Sequence, residues 1–599
     1  VFKQSKLAAA VLAAVATTGA QAVNLANEGT GQVLIFPYYN TNNGFVTQIS
    51  LTNTTEYFKA VKVRFRESKD SNDTLDFNIY FSPYDSWTGI VRDNPNNGKA
   101  NIITTDETCT YPAKELLQAG VDFIDLYTAV DAEDTSEGYF EVIDMGTIAD
   151  GPGPADDDFD YAEIDADGNL GNGNTELGDR IVVDGLEHDS DGMPEDCSVV
   201  NDAWIAGDVG DGGFTRGALD ANDGIAIEGE ADSPYDGDNL NDGMVAPTGG
   251  LTGYTIFLQA STGAAYVADA TIIDNYATVP QHYRSDDEDF YLLPSLASGD
   301  VLDVQIPDLE GVTDTTTWPV WAVDPGLVDD IAPNAPKVSG KNPGPIAHVL
   351  NVLGVSNDYF VEPGAVAGAT DWVVTFPMKK HGVFNSEVVS DDGDNWCDTD
   401  GDGEGDAGVA GTYYSCPYGD VVNASVSTAI GNFAETVDVE FELVYFDREE
   451  QFFIQEPDAP GFSPVIDPER PTLTLDREVN VVTWSESGGT TNSVLGTPPD
   501  NVFSVSLVEG YTGGWAAIAF EPRYNLGSVE TPFYDVYTLD VGGSPGSNDA
   551  TVNGAEGVPA IGFAALRGTV GNAGASGETI PHTRYRYQDD PDRPVVPDP

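Results

Sequence analysis

Cysteine is scarce in this chain of 599 residues: there are four, Cys109, Cys197, Cys397 and Cys416. None stands in a CxxC spacing, and only five histidines accompany them, at positions 188, 282, 348, 381 and 582. A zinc site draws on clustered Cys and His, so it fits poorly. Basic residues are scarce too. Lys and Arg total 25 against 100 Asp and Glu, a formal net charge of -75. Such a chain repels nucleic acid and anionic membranes, and neither is expected as a partner. Long apolar runs are missing. Leu7 to Ala16 is too short to span a bilayer, and no later stretch approaches the roughly eighteen apolar residues of a spanning helix. Long amphipathic helices are nearly absent, whereas Gly (65) and Pro (37) are abundant. That balance predicts a mainly β fold of short strands joined by turns. At about 100–200 residues per domain, three or four units are expected.

What is present begins with an export pattern. Lys3 and Lys6 precede the apolar Leu7–Ala16 run, and Ala20-Gln21-Ala22 has the small residues of a cleavage site. Residues 1–22 therefore read as a signal peptide, and the mature chain is expected to be extracellular or on the cell surface. An even cysteine count in an exported chain favours disulfides. Four cysteines allow three pairings. We expect Cys397–Cys416, which closes a short loop around an acidic motif, together with Cys109–Cys197.

That motif is Cys397-Asp-Thr-Asp-Gly-Asp-Gly-Glu-Gly-Asp406. Asp398, Asp400, Asp402 and Asp406 fall at positions 1, 3, 5 and 9, with Glu404 between and Gly403 at position 6. Ca²⁺ takes six to eight oxygen ligands, and glycine at 6 lets the backbone fold over the ion. Ca²⁺ is thus the expected cofactor. Val409 stands at position 12, where an EF-hand has its bidentate Glu, so an EF-hand is not implied. Glu187, Asp189, Asp191 and Glu195 repeat the spacing around Gly192, beside Cys197. They form a second, weaker candidate metal set.

Composition divides the mature chain. Residues 23–148 read as an N-terminal β domain. Residues 149–245 are an acidic Asp/Gly-rich insertion whose only bases are Arg180 and Arg216. Residues 246–390 are mixed and mostly β, 391–585 form a C-terminal β region with the calcium loop, and 586–599 are a Pro-rich tail. Period-two alternation marks the clearest strands. Val61, Val63 and Phe65 alternate with Lys62, Arg64 and Arg66; Leu75, Phe77, Ile79 and Phe81 follow after a polar turn, and the two runs are expected to pair as strands with one buried face. Further strands are expected at 33–39, 138–145, 254–258, 372–376, 437–445, 479–484, 502–508 and 515–520. Ile346, Val349, Leu350 and Leu353 have helical spacing after Pro345. Together these predict several β-sandwich-like units with short helices.

The basic stripe from Lys59 to Lys69 has two readings: a surface that docks acidic partners, or cross-strand pairing with Asp76 and its neighbours, which is favoured. Enzyme motifs are thin. Gly542-Gly-Ser-Pro-Gly546 fits G-x-S-x-G, but Pro545 and the following Ser-Asn-Asp suggest a loop, not a strained elbow. Tyr38, Tyr39, Tyr84 and Trp87 are either sugar-stacking aromatics or ordinary strand residues.

Several blocks carry a resemblance: Val33–Tyr39, Ser50–Thr55, Lys59–Glu67, Leu75–Thr88, Thr370–Pro377 and Tyr445–Glu450. They resemble an uncharacterised family of exported proteobacterial cell-surface proteins, which implies location but no activity or catalytic residues. Gly192–Cys197 resembles a block of the same family. The Asp398–Asp406 loop resembles the calcium repeats of thrombospondin type 3. The expected function is a secreted, calcium-stabilised structural or adhesive protein, a candidate self-assembling layer or filament subunit. Its partners would be copies of itself or other surface components. The alternatives are a calcium-dependent carbohydrate or matrix binder and an extracellular hydrolase.

Overall fold

The computed structural model describes residues 22–26, 29–69, 71–124, 134–148, 185–200, 244–278, 280–283, 285, 293–301, 303–307, 313–317, 344–352, 354–362, 366–379, 386–387, 414–415, 439–449, 451–455, 473–487, 493–520, 558–570 and 575–585. Among these residues the protein is mainly β. Its helices are short, as in Lys114–Ala119 and Gly344–Leu350.

Four sheets carry the architecture. Sheet I runs in the order Ala264–Asp269, Leu251–Gln259, Phe45–Asn53, Ser86–Asp93, Ala100–Ile103, Val121–Asp122. Sheet II runs Asn24–Leu25, Thr271–Asp274, Val33–Asn40, Glu137–Ile148, Phe58–Glu67, Asp73–Phe81, Cys109–Tyr111. Strands from 251–274 thus pair with strands from 23–148. Sheet III runs Val502–Ser506, Val479–Ser485, Val366–Thr375, Ile561–Val570, Ala575–Pro581. Its first two strands are parallel. Sheet IV runs Phe452–Ile454, Val439–Asp447, Gly513–Ala519, Gly354–Phe360, Thr583–Tyr585.

Alternation along each strand decides which core it serves, because successive side chains point to opposite faces. In Val33–Asn40, Leu34, Phe36 and Tyr39 face sheet I and pack on Ile49, Leu51, Trp87 and Leu251. Val33, Ile35 and Tyr38 face the other way, into a core shared with Val373, Val481, Ile561 and Phe563 of sheet III. Sheet III alternates in turn. Trp372, Val482 and Trp484 pack with Tyr359, Leu443, Tyr445 and Ile518 of sheet IV. The result is two β-sandwiches joined through a third core, with sheets II and III as inner layers. Strands buried on both faces need apolar residues throughout, which explains near-continuous runs such as Val33-Leu-Ile-Phe.

The hairpin expected from alternation is present, pairing Lys59 with Phe81 through Phe65 with Leu75. Its second face corrects the expectation of one buried side. Lys62, Arg64 and Arg66 are 0 %, 0 % and 2 % exposed. Residues 281–283 and 293–298 lie against this face: Arg64 Nη1 donates to the Pro294 carbonyl at 2.8 Å, and Asn78 Nδ2 to that of Tyr283 at 3.0 Å. Gly138 is required where the Glu137–Ile148 strand bulges against Val33–Asn40. A Cβ there would lie 1.9 Å from the Arg66 carbonyl oxygen. The helix expected after Pro345 forms as Gly344–Leu350 and places Ile346, Val349 and Leu350 in the shared core.

Candidate functional site

The weaker metal candidate can be built from its residues. Cys109 lies on the edge strand of sheet II and is bonded to Cys197, as expected. The bond anchors residues 185–200, and Leu186 and Val200 bury against Phe58, Tyr80 and Met145. Between these anchors the chain makes a tight hairpin. Glu195 N–H donates to the Glu187 carbonyl at 3.1 Å, and Asp189 N–H to that of Met193 at 2.7 Å. Gly192 supplies the left-handed turn at φ 80°. Asp189 Oδ1 accepts the backbone N–H of Asp191 at 2.7 Å and of Met193 at 3.1 Å. Those backbone donors hold the exposed Asp189 carboxyl below the usual range. Its charge is thus spent on its own turn. Among the described residues, no group of three or more His, Cys, Asp and Glu is placed to hold a metal ion. Glu187, Asp189, Asp191 and Glu195 all stand on this one tight turn. Cys397, Cys416 and the Asp398–Asp406 loop lie outside the described residues, as does Gly542–Gly546.

The basic stripe proves to be an internal charge network. Arg64 Nε stands 3.1 Å from Asp76 Oδ1. Arg66 reaches Asp73 at 2.7 Å and Glu141 at 2.6 Å. Burial alone would lower the Arg66 pKa, but Asp73 and Glu141 hold it above the ordinary value. Burial pushes the Asp76 carboxyl up even though Arg64 pulls it down. Cross-strand pairing is the outcome for Arg64 and Arg66, which are buried together with Lys59 and Lys62, while Lys69 at the turn stays exposed.

A second polar site was not foreseen in the sequence. It lies on the seam between the sandwiches and is centred on two buried carboxylates, Glu137 and Asp371. Glu137 accepts from Tyr38 Oη at 3.0 Å, Asn501 Nδ2 at 3.1 Å and Asn42 Nδ2 at 3.3 Å. Asp371 Oδ2 accepts from Ser493 Oγ at 2.6 Å and Leu495 N–H at 2.9 Å. The segment Ser493–Asn501 thus clasps both halves, with Asn40 Nδ2 donating to the Leu495 carbonyl at 2.5 Å. Burial raises the Glu137 carboxyl despite the nearby Arg477. Burial pushes Asp371 up to about 6. Buried carboxylates with raised pKa values are candidates for acid-base work, but these are 2 % and 0 % exposed and accept from structural donors. Glu137 stands between Ser136 and Gly138 and Asp371 follows Thr370, where one acid among a hundred gives no distinguishing signal.

The aromatics divide. Tyr38, Tyr39 and Trp87 are core residues, while Tyr84 is 67 % exposed. The outward face of sheet IV carries a row that the sequence left unmarked. Phe446 and Trp515 stack at 4.2 Å and 6°, Phe452 flanks Phe446, and Asp358 stands opposite Trp515. The signal was available: Trp515 is out of phase with its buried neighbours Ala516 and Ile518. Compared with known proteins, the chain matches no family model, no curated protein and no solved structure.

Proposed function

We propose that this chain is an exported cell-surface protein with a structural or adhesive role, stabilised by Ca²⁺ at Asp398, Asp400, Asp402, Glu404 and Asp406. The observation that carries the reading is the shared core. Two sandwiches fused through buried side chains make a stiff body, and the interior charges are spent on holding strands together. The buried acids Glu137 and Asp371 support the same view, since each accepts from donors that tie the two halves together. With a net charge of -75, divalent cations are natural bridges between copies. The test is electron microscopy of the purified protein and of the cell envelope, with Ca²⁺ and with chelator. Ordered layers or filaments in Ca²⁺ are expected. A protein that stays monomeric with added Ca²⁺ and is absent from the envelope overturns the reading.

The Phe446–Trp515 row favours a second reading, a calcium-dependent glycan or matrix binder. An exposed indole offers a stacking face, and Asp358 beside it offers an acceptor for sugar hydroxyls. The acidic surface favours neutral glycans over anionic ones. A glycan array with Trp515→Ala as control, with and without chelator, separates this from assembly.

A further inference from the structure

Lys59 and Asp144 differ from the other buried pairs. They lie on neighbouring strands, Phe58–Glu67 and Glu137–Ile148, with Nζ 2.8 Å from Oδ2 and both side chains 0 % exposed. Lys59 stands opposite Phe81 and Asp144 opposite Val61, both core residues. A bulge between Asp144 and Gly146 turns the Gly146 N–H back onto Asp144 Oδ1 at 3.2 Å. Gly249 N–H donates to Oδ2 at 3.1 Å. Thr248 Oγ1 accepts from Nζ at 2.7 Å and is itself held by Thr147 at 2.9 Å. The amine is therefore fixed against the carboxyl and shielded from solvent. The Arg64 and Arg66 pairs share the burial but not the chemistry, because a guanidinium stays protonated and is no nucleophile.

We propose that Lys59 and Asp144 condense into an intramolecular isopeptide bond between Nζ and Cγ, releasing water. The proposal does not depend on the surface-protein reading. A proton passes from Nζ to Oδ2 across the existing hydrogen bond, leaving an amine facing a carboxylic acid. The amine nitrogen attacks Cγ, and the negative charge collects on Oδ1, where the Gly146 N–H receives it. A second Nζ proton moves to Oδ2, the Cγ–Oδ2 bond breaks, and water leaves. The three protons of the ammonium end as one on the amide nitrogen and two in water, so no further reactant is needed. In bulk water hydration favours the separated ions. Burial reverses that balance, since each buried ion costs several kcal/mol and the amide carries no charge. Fixed contact supplies the proximity that such a reaction otherwise lacks.

Mass spectrometry of the purified, unfolded full chain tests this. The expected mass is one water below that of the disulfide-bonded linear chain, with a branched peptide joining Lys59 to Asp144 after proteolysis. Lys59→Arg keeps the charge and cannot form the amide, so it should restore the water and abolish the branch. Recovery of Lys59 and Asp144 only in separate linear peptides of the wild-type chain overturns the proposal, whether or not the variant folds. A branch at other residues overturns it equally.

Discussion

Two buried side chains set opposite demands on the fold. Arg66 is held between Asp73 and Glu141, so its removal takes the closest cation from two buried carboxylates, although Arg64 still stands 3.7 Å from Asp73. Arg66→Ala should therefore cost about 3–5 kcal/mol in urea unfolding. A loss under about 1 kcal/mol, the level of an exposed pair, would mean that the network contributes little. Asp371 works the other way. Its carboxyl lies at about 6 when folded, against 3.8 for an ordinary Asp. The folded state therefore holds this proton more tightly. Below the ordinary value both states are protonated and Asp371 costs nothing. As pH rises from about 4 to 6 the unfolded chain ionises first, and stability is lost until the penalty levels off near 3 kcal/mol. Asp371→Asn removes that penalty. Its advantage over wild type should be largest at pH 7 and shrink towards pH 4. An equal difference at both pH values would assign the effect to packing.

Individual elements fold by local rules where the sequence gives clear signals. The Glu187–Glu195 hairpin is fixed by one disulfide, one left-handed glycine and the amides on Asp189. The Cys109–Cys197 bond spans a separation of 88 residues, and a loop of that size restrains the unfolded chain by about 4 kcal/mol. Cys109→Ala with Cys197→Ala should raise hydrogen exchange across 185–200 far more than across Phe58–Glu67. Equal exchange in both segments would show that the bond is not what holds the hairpin. The calcium staple is tested separately. Asp400→Ala with Asp402→Ala should lower the melting temperature in Ca²⁺, and an unchanged value would retire it.

These elements also mark how far the sequence was legible. Strand positions were readable because alternation is a local property; Val61–Phe65 and Leu75–Phe81 pair as their pattern requires. What covers an outward face is not local. Lys62, Arg64 and Arg66 stood on the face away from the expected core, and cross-strand pairing was the favoured reading, but nothing local told that Pro294, more than two hundred residues away, would bond Arg64. For the same reason the seam acids were invisible. Only the docking of Ser493–Asn501 distinguishes Glu137 and Asp371 from other acids. The Asp/Gly spacing of Glu187–Glu195 was ambiguous from the start, because turns and calcium loops both use Asp to orient backbone amides.

At the scale of the whole molecule, the shared core decides whether the two sandwiches are domains or halves of one body. Tyr38 rests against Phe257 at 5.6 Å and Phe563 at 6.5 Å, and so links sheets I, II and III. Thr375 Oγ1 donates to the Pro37 carbonyl at 2.6 Å, and Val479 N–H to that of Ser68 at 3.0 Å. Separated, each inner sheet would expose the apolar side chains it contributes to this core, such as Val33, Ile35 and Ile143 of sheet II and Val373, Val481 and Ile561 of sheet III, which isolated domains avoid. The two should then unfold together. Phe563→Ala removes a side chain that sheet III contributes to this core and should cost about 3–5 kcal/mol. In a cooperative body the loss lowers the global opening energy, so amide protection should fall alike in Val33–Asn40 and Val366–Thr375. If only the strands of sheets III and IV lose protection, the sandwiches open independently. A stiff single body, the feature on which the structural reading rests, would then be untenable.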